Sequence, residues 1–583
     1  MNVEKLTRIF KNIIIVSAFL GLAAIIMEYG FRVSKDEIKI LHYISVAVVF
    51  IYVFYQIFLI FTTKPLSRYF KTHKIESFLI TLILLELILS IFNLSLVEKF
   101  GEFLHVKDIA FLYIVFAQVF FMIGIILGGL RINTKVLQSK IHPSRLFALS
   151  FLLTILIGAF LLMLPASTVS GHISFIDALF TSTSSVCVTG LITLDTATYF
   201  TTFGKIVIMI LFQIGGLGLM TFTTFFSVFL SGGIGIRERI LLHDLLDEEN
   251  IGAITRILSF LTITTFLIEL IGAGILYLSI QGQVADKSNA MFLSLFHSIS
   301  AFCNAGFSLF TMNLMDPLVR SNYLFTTTIS VLIILGGIGF PTIMSFINLR
   351  NKDIYGNRKN KRINIQTKII LGTTLGLIAT GTVFTYFSEA AFSLKGLEGF
   401  SKLHAAYFQS VTSRTAGFNT VDFSLLSIPT TIFYIFLMFV GASPGGTGGG
   451  IKTTTFLVLL LSIFSIVRSE NKVTVGGRTI PREVISRALI KTIMSLSFIF
   501  LGIFLLTFFE NKNLLDLTFE SFSAFGTVGL SRGITGLLSA EGKIIITILM
   551  FVGRIGPLSF LFSLMRIKEK PEYDLPEENI STL

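Results

Sequence analysis

The sequence is poor in several residue types that soluble proteins use freely. It has no tryptophan, two cysteines and only 14% charged residues among 583 positions, whereas 53% are hydrophobic. A soluble domain with this balance would expose large apolar patches, so that class is excluded. The cysteines, Cys187 and Cys303, form neither a disulfide framework nor the spacing of a zinc site. Any aromatic side chains at a membrane–water boundary must be tyrosine or phenylalanine.

Apolar runs of about 20 residues recur along the chain, and each is long enough to cross a hydrocarbon layer roughly 30 Å thick. We therefore predict an all-α, polytopic membrane protein. The net charge of +12 does not indicate a nucleic-acid partner, because the basic residues occupy short loops between apolar runs, as expected of cytoplasmic loops. The densest of these loops carries Arg350, Lys352, Arg358, Lys359, Lys361, Arg362 and Lys368. The segment 189–202 has no lysine or arginine and is predicted to lie outside.

Four apolar runs come first, near positions 12–31, 40–62, 77–96 and 109–130. We interpret them as four N-terminal transmembrane helices within residues 1–145. The first run lacks an obvious small-residue cleavage site, which favours an uncleaved membrane helix over a signal peptide.

A pattern then repeats four times. Each copy has an apolar span, a short amphipathic segment ending in a glycine loop, and a second apolar span. The loops read CVTGL, CNAGF, RTAGF and GTVGL, and their glycines are Gly190, Gly306, Gly417 and Gly529. The glycines are separated by 116, 111 and 112 residues, and an aromatic residue lies ten positions before each. We predict four helix–pore loop–helix repeats around a central pore, over 146–253, 254–365, 366–486 and, with a short cytoplasmic tail, 487–583.

Irregular backbone is tolerated at membrane depth only where it is buried in protein or lines a wet cavity. Four related loops facing one axis would form a ring of carbonyl oxygens that replaces the hydration shell of a cation. Glycine allows the required backbone angles and keeps side chains out of the path. For any single loop, the alternative is a helix-capping glycine or a plain turn. The predicted selectivity filter is Val188, Thr189, Gly190, Asn304, Ala305, Gly306, Thr415, Ala416, Gly417, Thr527, Val528 and Gly529, with Leu191 continuing its first wall.

The stretch GASPGGTGGGIKTTT (441–455) interrupts an apolar helix in the third repeat. It is not a nucleotide-binding P-loop, since Ile451 separates Gly450 from Lys452 and no strand precedes it. We predict a gating segment under the pore, the alternative being a helix kink. Arg554, within the last apolar span, is predicted to raise a positive barrier below the filter, or else to cap carbonyl groups elsewhere. The predicted gate is Ser443, Gly445, Gly446, Thr447, Gly448, Gly449, Gly450 and Lys452, together with Arg554.

These loops, the motif QIGGLGLM and the glycine-rich stretch resemble the Trk/Ktr/HKT superfamily of potassium transporters, and among them the bacterial Trk/Ktr membrane subunit. The resemblance covers about residues 146–565. It implies potassium selectivity when all four loops carry glycine, and an intramembrane gate at the glycine-rich stretch. It also implies a homodimer, a cytosolic nucleotide-binding regulatory subunit and a location in the bacterial cell (inner) membrane.

We therefore expect potassium uptake, with potassium as the transported ion and no cofactor. A sodium-permeable or sodium-coupled transporter of the same architecture is the first alternative. A polytopic membrane enzyme is the second, and it is disfavoured because the chain has no HExxH, no GxSxG and no acidic cluster for phosphoryl transfer.

Overall fold

The computed structural model describes residues 143–218, 254–350, 364–470 and 472–564, together with scattered residues between 13 and 58. The predicted N-terminal block of four helices falls almost wholly outside these residues, as does most of the basic loop 350–368. The described part consists of four units, each with a long helix, a short buried helix, a loop and a further helix.

Unit 1 contains α1 (Pro143–Leu162), α2 (Phe175–Val186) and α3 (Thr202–Leu217). Helix α1 is almost entirely apolar, as a membrane-crossing helix requires. Helix α2 is preceded by Ser174, whose side chain accepts a hydrogen bond from the amide of the third residue that follows it, a standard N-cap. Its last residues are small, polar and buried, so that it packs closely inside the bundle.

Unit 2 contains α4 (Ile254–Ile280), α5 (Lys287–Phe302), α6 (Tyr323–Gly337) and α7 (Phe340–Arg350). Helices α6 and α7 form a bent pair whose axes meet at 97°. The bend lies at Gly339, whose φ of +84° is open mainly to glycine.

Unit 3 contains α8 (Ile365–Ser388), α9 (Gly399–Thr412), α10 (Ile428–Phe439) and α11 (Thr453–Val467). The glycine-rich stretch separates α10 from α11, so the apolar helix is broken there. A small antiparallel hairpin follows, with Thr474 paired to Thr479 and Val475 to Arg478; its strands are β1 (Thr474–Val475) and β2 (Arg478–Thr479).

Unit 4 contains α12 (Arg482–Phe509), α13 (Leu514–Gly526), α14 (Ala540–Ile555) and α15 (Pro557–Leu564). Helices α14 and α15 are bent by 100°, the counterpart of the bend in unit 2. One-turn helices and 3₁₀ turns connect the main helices across the four units: Pro165–Ser167, Thr196–Tyr199, Asn313–Met315, Pro317–Arg320, Phe423–Leu425 and Thr535–Leu537.

The long helices carry apolar side chains on the outside of the bundle. On α12, Phe500, Phe504 and Phe508 are exposed, which is the pattern of a lipid-facing surface rather than a water-facing one. By length and composition, three described helices can cross a membrane, or five when each bent pair counts as one span. The prediction of an all-α, multi-span membrane protein is confirmed.

Candidate functional site

The four short helices α2, α5, α9 and α13 each end on a loop of the same backbone shape. In every loop the residue two positions before the glycine and the glycine itself have positive φ, and the residue between them does not. The leading residues are Val188 (57°), Asn304 (58°), Thr415 (77°) and Thr527 (50°), and the glycines are Gly190 (89°), Gly306 (72°), Gly417 (76°) and Gly529 (87°). The alternation turns the chain the same way in all four units.

Three of the leading residues are β-branched, and a β-branched residue with positive φ is a conformational outlier. Such strain persists only where the surrounding structure enforces it, and it concentrates at functional sites. The loops are therefore held in shape by their neighbours.

The four glycines form a closed ring. A Cβ placed on Gly190 would lie 2.5 Å from the carbonyl oxygen of Ala305 and 3.0 Å from the Cα of Gly306. The same relation holds between the following loops: Gly306 faces the carbonyl of Ala416, Gly417 that of Val528, and Gly529 that of Thr189, which returns to the first loop. The predicted filter residues of all four units thus meet at one constriction, where carbonyl oxygens lie beside each glycine.

The loop amides are bonded away from this constriction. Thr189 donates to the Ser184 carbonyl at 2.7 Å, and Ala305 donates to the Ser300 carbonyl at 2.7 Å. In the fourth loop the Val528 amide likewise donates to the α13 backbone. Since these amides point back to the short helices, they do not compete with the carbonyl oxygens at the constriction, and carbonyl oxygens of this kind can bind cations.

A cavity of about 350 Å³ lies against the ring, and all four glycines are part of its lining. Two carboxylates, Asp195 and Asp422, also line it, and no basic side chain does so among the described residues. The lining is therefore suited to collect cations in front of the constriction.

Apart from Arg554, which lies on α14, the predicted gate residues lie in one segment, 440–452, which we call the gate loop. A parallel bridge between Val440 and Ile451 joins its two ends. The Ser443 hydroxyl bonds the Thr453 hydroxyl at 2.9 Å. The loop is thus a compact insertion between α10 and α11.

The gate loop is hydrogen-bonded to unit 2. The Ser443 amide donates to the Gly337 carbonyl at 2.9 Å, and the Thr447 amide donates to the Gly336 carbonyl at 3.1 Å. The Thr447 hydroxyl reaches the carbonyl of Phe302, the last residue of α5, at 3.2 Å. The loop therefore lies directly against the end of a short helix that leads into the ring.

The gate loop also touches the ring residues of units 3 and 4. The Gly449 amide donates to the Thr527 hydroxyl at 2.8 Å. A Cβ on Gly448 would clash with the Thr415 hydroxyl, so glycine is needed for this approach. These contacts place the gate loop immediately beside the ring.

Three cationic side chains donate to carbonyl oxygens of this segment. Arg554 donates both to Thr447 and to Gly215 of α3 in unit 1. Lys452 donates to the Gly448 carbonyl at 2.8 Å. Arg414 lies 3.5 Å from the Gly441 carbonyl. These bonds bring three cationic side chains to the gate loop, and Arg554 also links it to α3 of unit 1.

Two of these contacts were not predicted from the sequence. Arg414 is buried, and its guanidinium lies 3.5 Å from the carbonyl oxygens of Gly441 and Thr374. Nothing in the sequence indicated the contact between Thr527 and Gly449, apart from the threonine that the third and fourth loops share two positions before the glycine. The buried carboxylate of Glu269 accepts hydrogen bonds from the side-chain amide of Gln213 at 3.1 Å.

Comparison with known proteins gives a consistent result. The TrkH family, described as "Cation transport protein", matches residues 114–574. The chain is 44% identical over 436 residues to the Ktr system potassium uptake protein B of Bacillus subtilis, covering 74% of this chain and 94% of that protein. It is 35% identical over 460 residues to the potassium/sodium uptake protein NtpJ of Enterococcus hirae, covering 77% and 99%.

Among solved structures, the fold is similar to the crystal structure of the potassium transporter TrkH from Vibrio parahaemolyticus. The TM-score is 0.58 at 17% sequence identity, and the match covers 72% of this chain and 83% of that chain.

Proposed function

The chain belongs to the TrkH family of cation transport proteins, and we propose that it carries potassium into a bacterial cell through the glycine ring. The family membership confirms the resemblance predicted from the sequence. The observation that carries the proposal is the ring itself, in which four loops from one chain bring carbonyl oxygens and side-chain-free glycines to a single constriction. The name of the Bacillus relative, a potassium uptake protein, supports potassium as the ion. Membership of a transport family argues against a membrane enzyme.

The selectivity filter in this proposal is formed by the three residues of each loop that end in the ring glycine. Each loop offers backbone oxygens, and the glycines leave the axis open. A side chain at Gly190 would meet the Ala305 carbonyl oxygen, and the residue that carries it would have to adopt a backbone φ of +89°. Selectivity therefore depends on glycine at this place.

The first experiment is uptake of rubidium, a potassium substitute, in a potassium-uptake-deficient bacterial strain with potassium or sodium as competitor. We expect potassium to compete better than sodium, and Gly190→Ser to reduce that preference by about tenfold, which corresponds to about 1.4 kcal/mol. Gly372→Ser is the matched control, because a Cβ on Gly372 meets nothing within 4 Å. A wild-type protein that carries no monovalent cation, even with a cognate cytosolic subunit supplied, would refute the proposal.

We also propose that the gate loop, with Arg554 and Lys452, is the gate of this pathway. Its support is the position of the loop beside the ring, with hydrogen bonds to unit 2, to Thr527 and, through Arg554, to unit 1. For ions to pass, the loop has to leave these partners.

A sodium-permeable or sodium-coupled transporter is the second candidate, because the Enterococcus relative is named as a potassium/sodium uptake protein. The same competition assay separates the two. Sodium that competes as well as potassium in the wild type would favour this second function.

We also propose that the protein lies in the bacterial cell membrane, forms a homodimer and binds a cytosolic nucleotide-binding regulatory subunit. The bacterial source of the relatives supports the membrane, and the family resemblance implies the homodimer and the subunit. The basic residues near the β-hairpin, such as Arg468 and Arg478, would form the docking surface for that subunit. Molar mass of the purified protein in detergent tests the dimer. Co-purification with a candidate subunit, with and without nucleotide, tests the partner.

A further inference from the structure

The gate loop and the glycine ring share direct contacts at two matched positions. Thr527, two residues before Gly529, accepts a hydrogen bond from the Gly449 amide at 2.8 Å. Thr415 has the same position in the third loop, and its side chain fills the space beside Gly448. Both threonines are completely buried.

These two threonines are also strained. Their φ values are 77° for Thr415 and 50° for Thr527, in the region that β-branched residues avoid. A backbone of this kind keeps its shape only while its neighbours enforce it. The gate loop is one of these neighbours, and its backbone contacts the side chain of each threonine.

From these contacts we infer that Thr527 is a positioning residue through which the gate loop sets the geometry of the ring, so that gate opening and ion binding in the ring are coupled. The inference rests on the proposed function. When the loop leaves, Thr527 loses its amide donor, and the strained segment before Gly529 can relax. By reciprocity, a cation that fits the ring must favour the seated loop to the same extent that the seated loop favours that cation.

The test measures loop departure without measuring transport. Ser443 is wholly buried and close in size to cysteine, so Ser443→Cys in the full-length protein gives a thiol that reacts only when the loop leaves its seat. Labelling by a membrane-impermeant thiol reagent is followed in lipid nanodiscs in potassium, sodium or choline chloride. The protein without this substitution gives the background, since Cys187 and Cys303 are buried.

We expect potassium to slow labelling about tenfold relative to choline, the size of one buried hydrogen bond. Thr527→Ser should keep this ratio, whereas Thr527→Val should bring it to about one. Gly449→Ala approaches the same contact from the gate side, since a Cβ there would lie 2.6 Å from the Thr527 hydroxyl, and it should have the same effect. Thr373→Val is the matched control, because that hydroxyl bonds only its own helix among the described residues.

Two results would overturn the inference. One is labelling of Ser443→Cys that does not depend on the ion when residues 449 and 527 are unchanged. The other is labelling that keeps its ion dependence in both Thr527→Val and Gly449→Ala. Loss of rubidium uptake by the wild type would instead overturn the proposed function. The two failures are distinguishable, because the labelling assay requires no transport.

Discussion

At the scale of single residues, Arg554 joins the gate loop to a helix of another unit. Its guanidinium donates to the carbonyl oxygens of Thr447 and Gly215, which lie in units 3 and 1. A planar group with several fixed donors can hold two carbonyls at once, and lysine or glutamine cannot do so with the same geometry. Arg554 therefore links the gate loop of unit 3 to α3 of unit 1.

We predict that Arg554→Gln raises basal rubidium uptake about tenfold, because the charge is lost and glutamine cannot bond both the Thr447 carbonyl of the gate loop and the Gly215 carbonyl of α3. Arg554→Lys should lie between this variant and the wild type. Initial uptake rates, normalised to protein in the membrane, provide the measurement. Arg320→Gln, at the exposed end of the one-turn helix Pro317–Arg320, is the control. Unchanged or slower uptake in both Arg554 variants would contradict a fastening role.

At the scale of elements, a glutamate at the end of one helix binds the N-cap serine of a later helix in units 3 and 4. Glu389, directly after α8, accepts from the amide and hydroxyl of Ser427 at 3.1 and 2.7 Å, and Ser427 is the N-cap of α10. Glu510, directly after α12, accepts from both groups of Ser539, the N-cap of α14, at 2.7 Å. A carboxylate near a helix N-terminus is also favoured by the helix dipole. The device fixes the outer ends of two helices relative to each other.

The acid behaviour of Glu389 tests this device. Burial raises its pKa, but hydrogen bonds from Thr430, Ser427 and Ser393 outweigh that effect and hold the pKa below its usual value. A depressed pKa means that the stabilisation is present above the unfolded-state pKa of about 4.3 and is lost as the pH falls through the folded-state pKa.

We predict that Glu389→Gln lowers the free energy of unfolding by about 1–3 kcal/mol at neutral pH, because one oxygen that accepts two hydrogen bonds is replaced by a donor. The difference from wild type should shrink as the pH falls below about 4.3. Thermal unfolding in detergent from pH 7 downwards is the measurement, and the exposed Glu398→Gln is the control. A difference that grows in acid would show that the carboxylate is not the stabilising form.

At the scale of the whole molecule, the ring of units is closed by contacts between the first and the last. Lys543 on α14 pairs with Asp177 on α2 at 2.7 Å, and both side chains are mostly buried. Arg145 on α1 donates to the carbonyl of Ser563 on α15 at 2.7 Å. These two contacts hold unit 1 against unit 4.

We predict a coupling free energy of about 1 kcal/mol between Asp177 and Lys543, since the pair is better shielded from solvent than a surface salt bridge. A double-mutant cycle with Asp177→Asn and Lys543→Met measures it through the unfolding midpoint. The pair Arg532–Asp516, which lies within unit 4, is the comparison. Additive effects of the two substitutions would mean that the pair does not join the units.

Local sequence signals predicted the helices, the broken helix of unit 3 and the family. The spacing of glycines predicted that four loops share one role, because a repeat of about 110 residues is visible without a structure. It could not predict which residues meet across units. Gly449 and Thr527 are 78 residues apart, and Arg554 and Gly215 are 339 apart, so their contact depends on how whole helices pack.

The ring is built from one chain, and this has a consequence for how it can change. In a pore assembled from four identical subunits, one codon alters every wall at the same time. Here the position two residues before the glycine is already valine, asparagine, threonine and threonine in turn. A single substitution in the proposed filter therefore alters one quarter of its wall and leaves the other three quarters unchanged.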